Sequence, residues 1–87
     1  MKRIAFVHNR FPAGGAERVT IDIARYLSAF DGYEVFVFAT RFYEEMLPED
    51  VRGSIHIREI PSQAASSRRS AAVGKLIVEE HIDILVQ

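Results

Sequence analysis

The chain has no cysteine. That excludes disulfides and thiolate chemistry and fits a reducing compartment. It has almost no net charge, −1 at pH 7, so no global field draws it to nucleic acid or acidic membranes. No apolar run approaches the ~20 residues of a membrane-spanning helix. The basic start Met1-Lys2-Arg3 is followed only by "IAFV" before His8, too short for the apolar core of a secretory signal. These absences lead to the expectation of a cytoplasmic protein. Internal repeats, linkers and low-complexity segments are also lacking. With 87 residues, the chain is one small domain or a piece of one, burying only about 60 to 65% of its unfolded surface.

What is present is an ordinary globular composition, 48% apolar and 26% charged, in an alternating pattern. Residues 4–7 are a continuous apolar run and predict a strand buried on both faces. "HNRFPAGG" reads as a loop, punctuated by Asn9, Pro12, Gly14 and Gly15. Ala16, Val19, Thr20, Ile23, Ala24 and Leu27 then recur at three- and four-residue steps, the buried face of a helix of about four turns. Asp31-Gly32 ends it, and residues 33–39, "YEVFVFA", predict a second strand. One helical turn is expected near residues 44–47, broken by Pro48. Residues 54–60 predict a third strand near a sheet edge, with "PSQAASSRRS" as a loop or a frayed helix start after it. Ala72, Val73, Leu76, Ile77 and Glu80 mark a second helix, weakened by Gly74 by about 1 kcal/mol against Ala. Residues 82–86 form a fourth strand.

This order, β-α-β-β-α-β, predicts an α/β fold, a Rossmann-like parallel sheet with flanking helices, and apparently a partial domain. In a doubly wound sheet the fourth strand lies beside the first, opposite the second, and the crevice outside their carboxyl ends is the ligand site. Gly14 and Gly15 lead into that crevice. Bare backbone opening a helix can hold a phosphate, so the amides of Gly14, Gly15 and Ala16 are candidate phosphate-binding groups. The loop is not a dinucleotide fingerprint, because the Gly spacing fails and Ala39-Thr40-Arg41 offers no acid where one is required. Arg41 would suit a 2′-phosphate or simply be solvated. Nor is there a phosphate-binding-loop lysine motif, since Gly74-Lys75 is followed by Leu76.

The stretch "RIAFVHNRFPAGGAERVTIDIARYLSAFDGYEVFVFAT" resembles the N-terminus of family 4 retaining glycosyltransferases of the GT-B fold. These open with a strand, a loop ending Gly-Gly-Ala-Glu-Arg, an amphipathic helix and a Gly-x-Glu-Val strand. Gly14 to Arg18 match the first block, and Gly32, Tyr33, Glu34 and Val35 match the second, with Tyr33 where the family often has His. "EEHIDILVQ" is similar to the family's fourth strand, with Ile82 in place of Pro. The resemblance implies that residues 1–87 are the first half of an N-terminal, acceptor-side domain, with no second domain present. It implies sugar transfer from a nucleotide-sugar donor to a carbohydrate or lipid-linked acceptor. Gly14, Gly15 and Ala16 would then approach the donor diphosphate, while the donor-side glutamates would lie in another domain. It implies no cofactor and no metal, and no catalytic residue is named.

Other candidates stay open between two readings. His8 ends the predicted first strand, either as a hydrogen-bonded structural residue or aimed at the crevice. Arg10 is a solvated loop cation or meets a phosphate or sugar hydroxyl. Glu17 lies in the first helical turn, where the helix dipole favours an acid, or it serves the acceptor side with His8 and Arg10. Glu44-Glu45 and Glu49-Asp50 read as solvated charge, and His56 and His81 receive no role. No His, Asp or Glu set has metal-ligand spacing. Arg68-Arg69, with Lys75 further along, is the one local basic patch and is either solvent-facing or a weak peripheral membrane contact. The alternative to a transferase is a small α/β binding or interaction module using the glycine loop or an open sheet edge. That edge leads to an expectation of self-association.

Overall fold

A computed structural model describes residues 1–12, 15–27, 29–30, 32–60 and 66–86; for Gly15, Ala16 and residues 66–69 only the backbone is described. Strand β1 (Lys2–Phe11) leads to helix α1 (Gly15–Leu27) and strand β2 (Tyr33–Phe42). One 3₁₀ turn (Glu44–Met46) and the short helix α2 (Glu49–Arg52) follow, then β3 (Ile55–Glu59), α3 (Ser66–Glu79) and β4 (Ile84–Val86). The four strands form one parallel sheet in the order β3-β2-β1-β4. This is the α/β, Rossmann-like parallel sheet with flanking helices that the strand–helix alternation predicts, with β4 beside β1 and opposite β2.

Strand alternation divides the core. Ile4, Phe6, Val35, Val37, Ala39 and Ile55 pack under α1 and α2 with Ile21, Ala24, Leu47 and Val51. Ala5, Phe36 and Phe38 pack on the other face with Ile60 and Val73, and Ile82 and Leu85 join them. β1 and β2 are thus covered on both sides, which is why they are written as unbroken apolar runs.

Three expectations need correction. First, β1 does not stop at Val7. It continues through His8, Asn9 and Arg10 to Phe11, because β2 also runs on to Phe42 and pairs with it at Arg10↔Arg41 and Phe11↔Phe42. Asn9 and Arg10 are exposed and belong to a strand, not a loop. A polar side chain does not end a strand whose backbone has a partner and whose side chain reaches water. Second, the buried face of α1 is rotated. Thr20, Ile21 and Ala24 are buried, whereas Val19 is 56% and Ile23 37% exposed. At 3.6 residues per turn, positions 19 to 27 spread their apolar side chains over an arc of about 200°, more than one sheet contact covers. Third, Asp50 is not merely solvated. Its carboxylate accepts from Arg25 Nε at 2.6 Å, tying α2 to α1, and this hydrogen bond holds the Asp50 carboxyl below its ordinary value.

The amino-terminal end of the sheet is locked. The Arg3 N–H donates to Asp83 Oδ2 at 2.8 Å and the Asp83 N–H donates to the Arg3 carbonyl at 2.8 Å. Arg3 Nη1 donates to the Glu80 carbonyl at 2.6 Å, and Arg58 Nε to Glu80 Oε2 at 2.6 Å. Asp83 and Glu80 thereby hold the end of α3 and the start of β4 against β1 and β3.

Helix α3 ends in a capping motif in which Ile82 N–H donates to the Ile77 carbonyl at 3.0 Å and His81 N–H to the Val78 carbonyl at 3.3 Å. Ile77 and Ile82 pack on the same core, the apolar contact that accompanies this cap. His81 takes φ 54° to make it, a conformation that costs a non-glycine residue about 1–2 kcal/mol. Meanwhile Gly74 sits inside the helix, where an added Cβ would meet nothing within 4 Å. The two residues are better exchanged in kind. His81→Gly and Gly74→Ala are each expected to raise stability by about 1 kcal/mol, and each kcal/mol should raise Tm by roughly 4–8 °C. Thermal melts of the two single variants check this; a fall in Tm for His81→Gly would show that the cap does not depend on backbone strain.

Candidate functional site

In a parallel sheet each helix begins at the carboxyl end of the strand before it, so that end gathers the helix N-termini. The strand order reverses between β1 and β4, and a crevice is expected there. A groove of about 350 Å³ occupies that position, lined by Phe6, Val7, His8, Val19, Thr20, Ile23 and Val86. Val19 and Ile23 are its helix wall. Their exposure, which the helical periodicity mispredicts, makes the groove apolar on that side.

His8 supplies its polar point. Its Nε2 lies 2.7 Å from Thr20 Oγ1, and its ring stacks on Phe11 with centroids 5.4 Å apart and planes at 20°. Burial pushes the His8 pKa below its ordinary value of 6.5, partly opposed by the Glu17 carboxylate, whose Oε1 is 4.0 Å from Nδ1. The imidazole is therefore neutral at pH 7. It can donate to an incoming hydroxyl from one nitrogen while engaging Thr20 with the other. Thr20 is 3% exposed, as its helical spacing predicts, and its hydroxyl has a partner because β1 brings His8 across from it. No sequence signal pairs positions 8 and 20, which are joined only by packing.

A neutral, partly buried histidine has a pH signature. The unfolded chain takes a proton at His8 near pH 6.5, while the folded chain takes it only at lower pH. The unfolded state therefore binds more protons between those values, and stability falls as pH drops through that window. The wild type is expected to lose more stability than His8→Gln from pH 7 downward, measured by urea unfolding at several pH values. Parallel curves would show that His8 titrates alike in both states.

Gly14 lies outside the described residues. Gly15 is the first residue of α1 and Ala16 the second, so their N–H groups belong to the first turn, which has no intrahelical acceptors. Glu17 is brought to His8. Arg10 is not in the groove; it stands further along β1, beside Arg41. Arg18 lines a separate hollow of about 250 Å³ with Pro12, Ile21, Asp22, Arg25, Met46 and Pro48. There the Arg25 charge is already met by Asp22 and Asp50. The Arg68 and Arg69 side chains lie outside the described residues, and Lys75 pairs with Glu79 at 3.7 Å. Among the described residues no group of three or more His, Cys, Asp or Glu is placed to hold a metal ion, and no helix is long and apolar enough to cross a membrane.

Fold and groove together define a Rossmann-like α/β unit with an apolar crevice at its topological switch point. Comparisons with protein-family models, with curated proteins and with solved structures found no match.

Proposed function

We propose that this chain forms the acceptor-side wall of a retaining glycosyltransferase that moves a sugar from a nucleotide-sugar to a carbohydrate or lipid-linked acceptor. The observation that carries the reading is the switch-point groove, with neutral His8 at its polar point and α1 opening at Gly15 beside it. The resemblance of the Gly-Gly-Ala-Glu-Arg block supplies the chemical class. In this reading the Gly15 and Ala16 amides face the donor diphosphate. Negative charge grows on that leaving group as the glycosidic bond breaks, and preformed N–H dipoles stabilise it. The groove holds the acceptor by its apolar faces, with His8 hydrogen-bonding a hydroxyl and Glu17 beside it.

The test is an amide NMR titration with a nucleoside diphosphate. Gly15 and Ala16 should shift. Binding should be weak, since one helix end contributes about 0.3–2 kcal/mol. Gly15→Val should abolish the shift, because its branched side chain fills the approach to the backbone; the rest of the spectrum shows whether the variant is folded. Equal shifts in both proteins would remove the donor site. Residues 1–87 alone are expected to transfer no sugar. They supply one wall, and catalysis by positioning requires donor and acceptor to be held together. Turnover by the 87-residue chain would require a different site.

A further inference from the structure

Two arginines stand side by side where the sequence suggests unrelated loop and strand-end cations. Arg10 of β1 and Arg41 of β2 are register partners in the parallel ladder, so both side chains leave the same face, from Cα atoms about 4.8 Å apart. Both residues are exposed. Among the described residues no carboxylate pairs with either one. Every other arginine whose side chain is described, apart from Arg18, donates to a named oxygen: Arg3, Arg25, Arg52 and Arg58. Like charges directly opposite each other on neighbouring strands are unfavourable, and this pair lies at the carboxyl end of the sheet, where ligands bind.

The platform beneath them is fixed. The Thr40 hydroxyl donates to the Asn9 carbonyl, Phe11 pairs with Phe42, and the Tyr43 N–H donates to the Phe11 carbonyl at 2.8 Å. The Arg41 guanidinium sits 5.9 Å from the Tyr43 ring centroid, which limits where it can go. Phe11 is fully buried beneath the strand end. Two guanidiniums held by a rigid backbone offer two planar donor forks and two positive charges. A phosphate monoester carries close to two negative charges at pH 7 and has oxygens to accept from both forks. A carboxylate would leave one charge unmatched.

We propose that Arg10 and Arg41 form a clamp for a phosphate monoester. The clamp does not depend on the transferase reading. Its extension does: under that reading, the acceptor is a phosphorylated molecule whose phosphate is held at the strand ends.

The test follows the arginine Nε–H signals of the 87-residue chain during titration with inorganic phosphate and with glycerol phosphate, against chloride at matched ionic strength. The Arg10 and Arg41 signals should move together and saturate, with little response to chloride. Arg10→Gln and Arg41→Gln should each weaken binding by about tenfold or more, since each removes a charge-assisted fork. Arg41→Lys should fall between, because an ammonium cannot make the bidentate contact. Lys75→Gln removes the same charge elsewhere and should leave binding unchanged. Both glutamine variants should fold at least as stably as the wild type in phosphate-free buffer, because repulsion is relieved. Sedimentation with phosphatidylcholine vesicles carrying phosphatidic acid, against phosphatidylcholine alone, separates the sources. Retention that both variants lose assigns a lipid headgroup, whereas phosphate binding without retention assigns a soluble ester. Shifts no larger than those with chloride, or equal binding by Arg10→Gln, Arg41→Gln and Lys75→Gln, would overturn the clamp. Gly15→Val should leave the phosphate response at Arg10 and Arg41 intact, so failure of the donor site and failure of the clamp are read independently.

Discussion

Phe11→Ala is expected to remove about 3–5 kcal/mol of stability and to leave the chain largely unfolded near 40 °C. A domain of this length has about 4–13 kcal/mol in total, so the loss is about a quarter of it or more. Phe11 is fully buried at the far end of β1. It packs in the cluster that holds Ile21 of α1, Leu47 and Val51, meets Phe42 edge-on at 6.2 Å and stacks on His8 at 5.4 Å. One ring thus joins β1, β2, α1 and α2 beneath the candidate site. Phe11→Leu keeps much of the volume and should cost far less, but it removes the stack on His8. In that variant the His8 titration should move up toward its ordinary value, as part of the burial that depresses it is lost. Circular-dichroism melts and histidine NMR titration measure both effects. A Phe11→Ala melt within a few degrees of wild type would mean that the strand end is not part of the cooperative core.

Phe36→Ala is expected to cost about as much, 3–5 kcal/mol, from the opposite side of the sheet. Phe36 is 2% exposed in β2, between the two strands that flank it. Its ring meets Phe38 edge-on at 6.5 Å and His56 in a stack at 4.7 Å. The guanidiniums of Arg3 and Arg58 lie 5.7 and 5.8 Å from its centroid. Truncation opens a cavity on the α3 face and also removes the ring that carries the two arginines holding Glu80. Phe36→Leu separates these effects. It restores most of the apolar volume but not the cation–π contacts, worth about 0.5–1 kcal/mol each at exposed sites, so it should fall clearly between wild type and Phe36→Ala. Urea unfolding at low and high salt checks the assignment. If Phe36→Leu equals wild type, the arginines gain nothing from the ring.

Much of the architecture was legible because it rests on local chemistry. Apolar runs at 4–7 and 33–39 marked strands covered on both faces. The short turn near Glu44 and the break at Pro48 were visible as well. The start of α1 at Gly15 followed from the glycines between an apolar run and a helical period. In the sequence His8 at a strand end and Glu17 in a first helical turn are separate candidates, and the structure brings them together. Helix α2 was not visible. Its four residues, Glu49–Arg52, are too few to show a period, and Asp50 finds Arg25 only because α1 passes overhead.

The sequence by itself determined the order of strands and helices, the parallel sheet and the side of β1 on which β4 lies. The hydrophobic period depends on neighbours along the chain, and the doubly wound strand order follows from the alternation of strands and helices, so both can be read without a partner. Only the tertiary structure decided which part of the wide apolar arc of α1 is buried, placing Ile21 inside and leaving Val19 and Ile23 to wall the groove. It also decided that β1 and β2 continue together past Val7 and Ala39, that His8 meets Thr20, and that Arg10 stands beside Arg41. Each of these depends on a rotation or a register between segments far apart in the chain. A turn of one helix residue or a slip of one strand residue changes every neighbour while leaving the local pattern of the sequence unaltered.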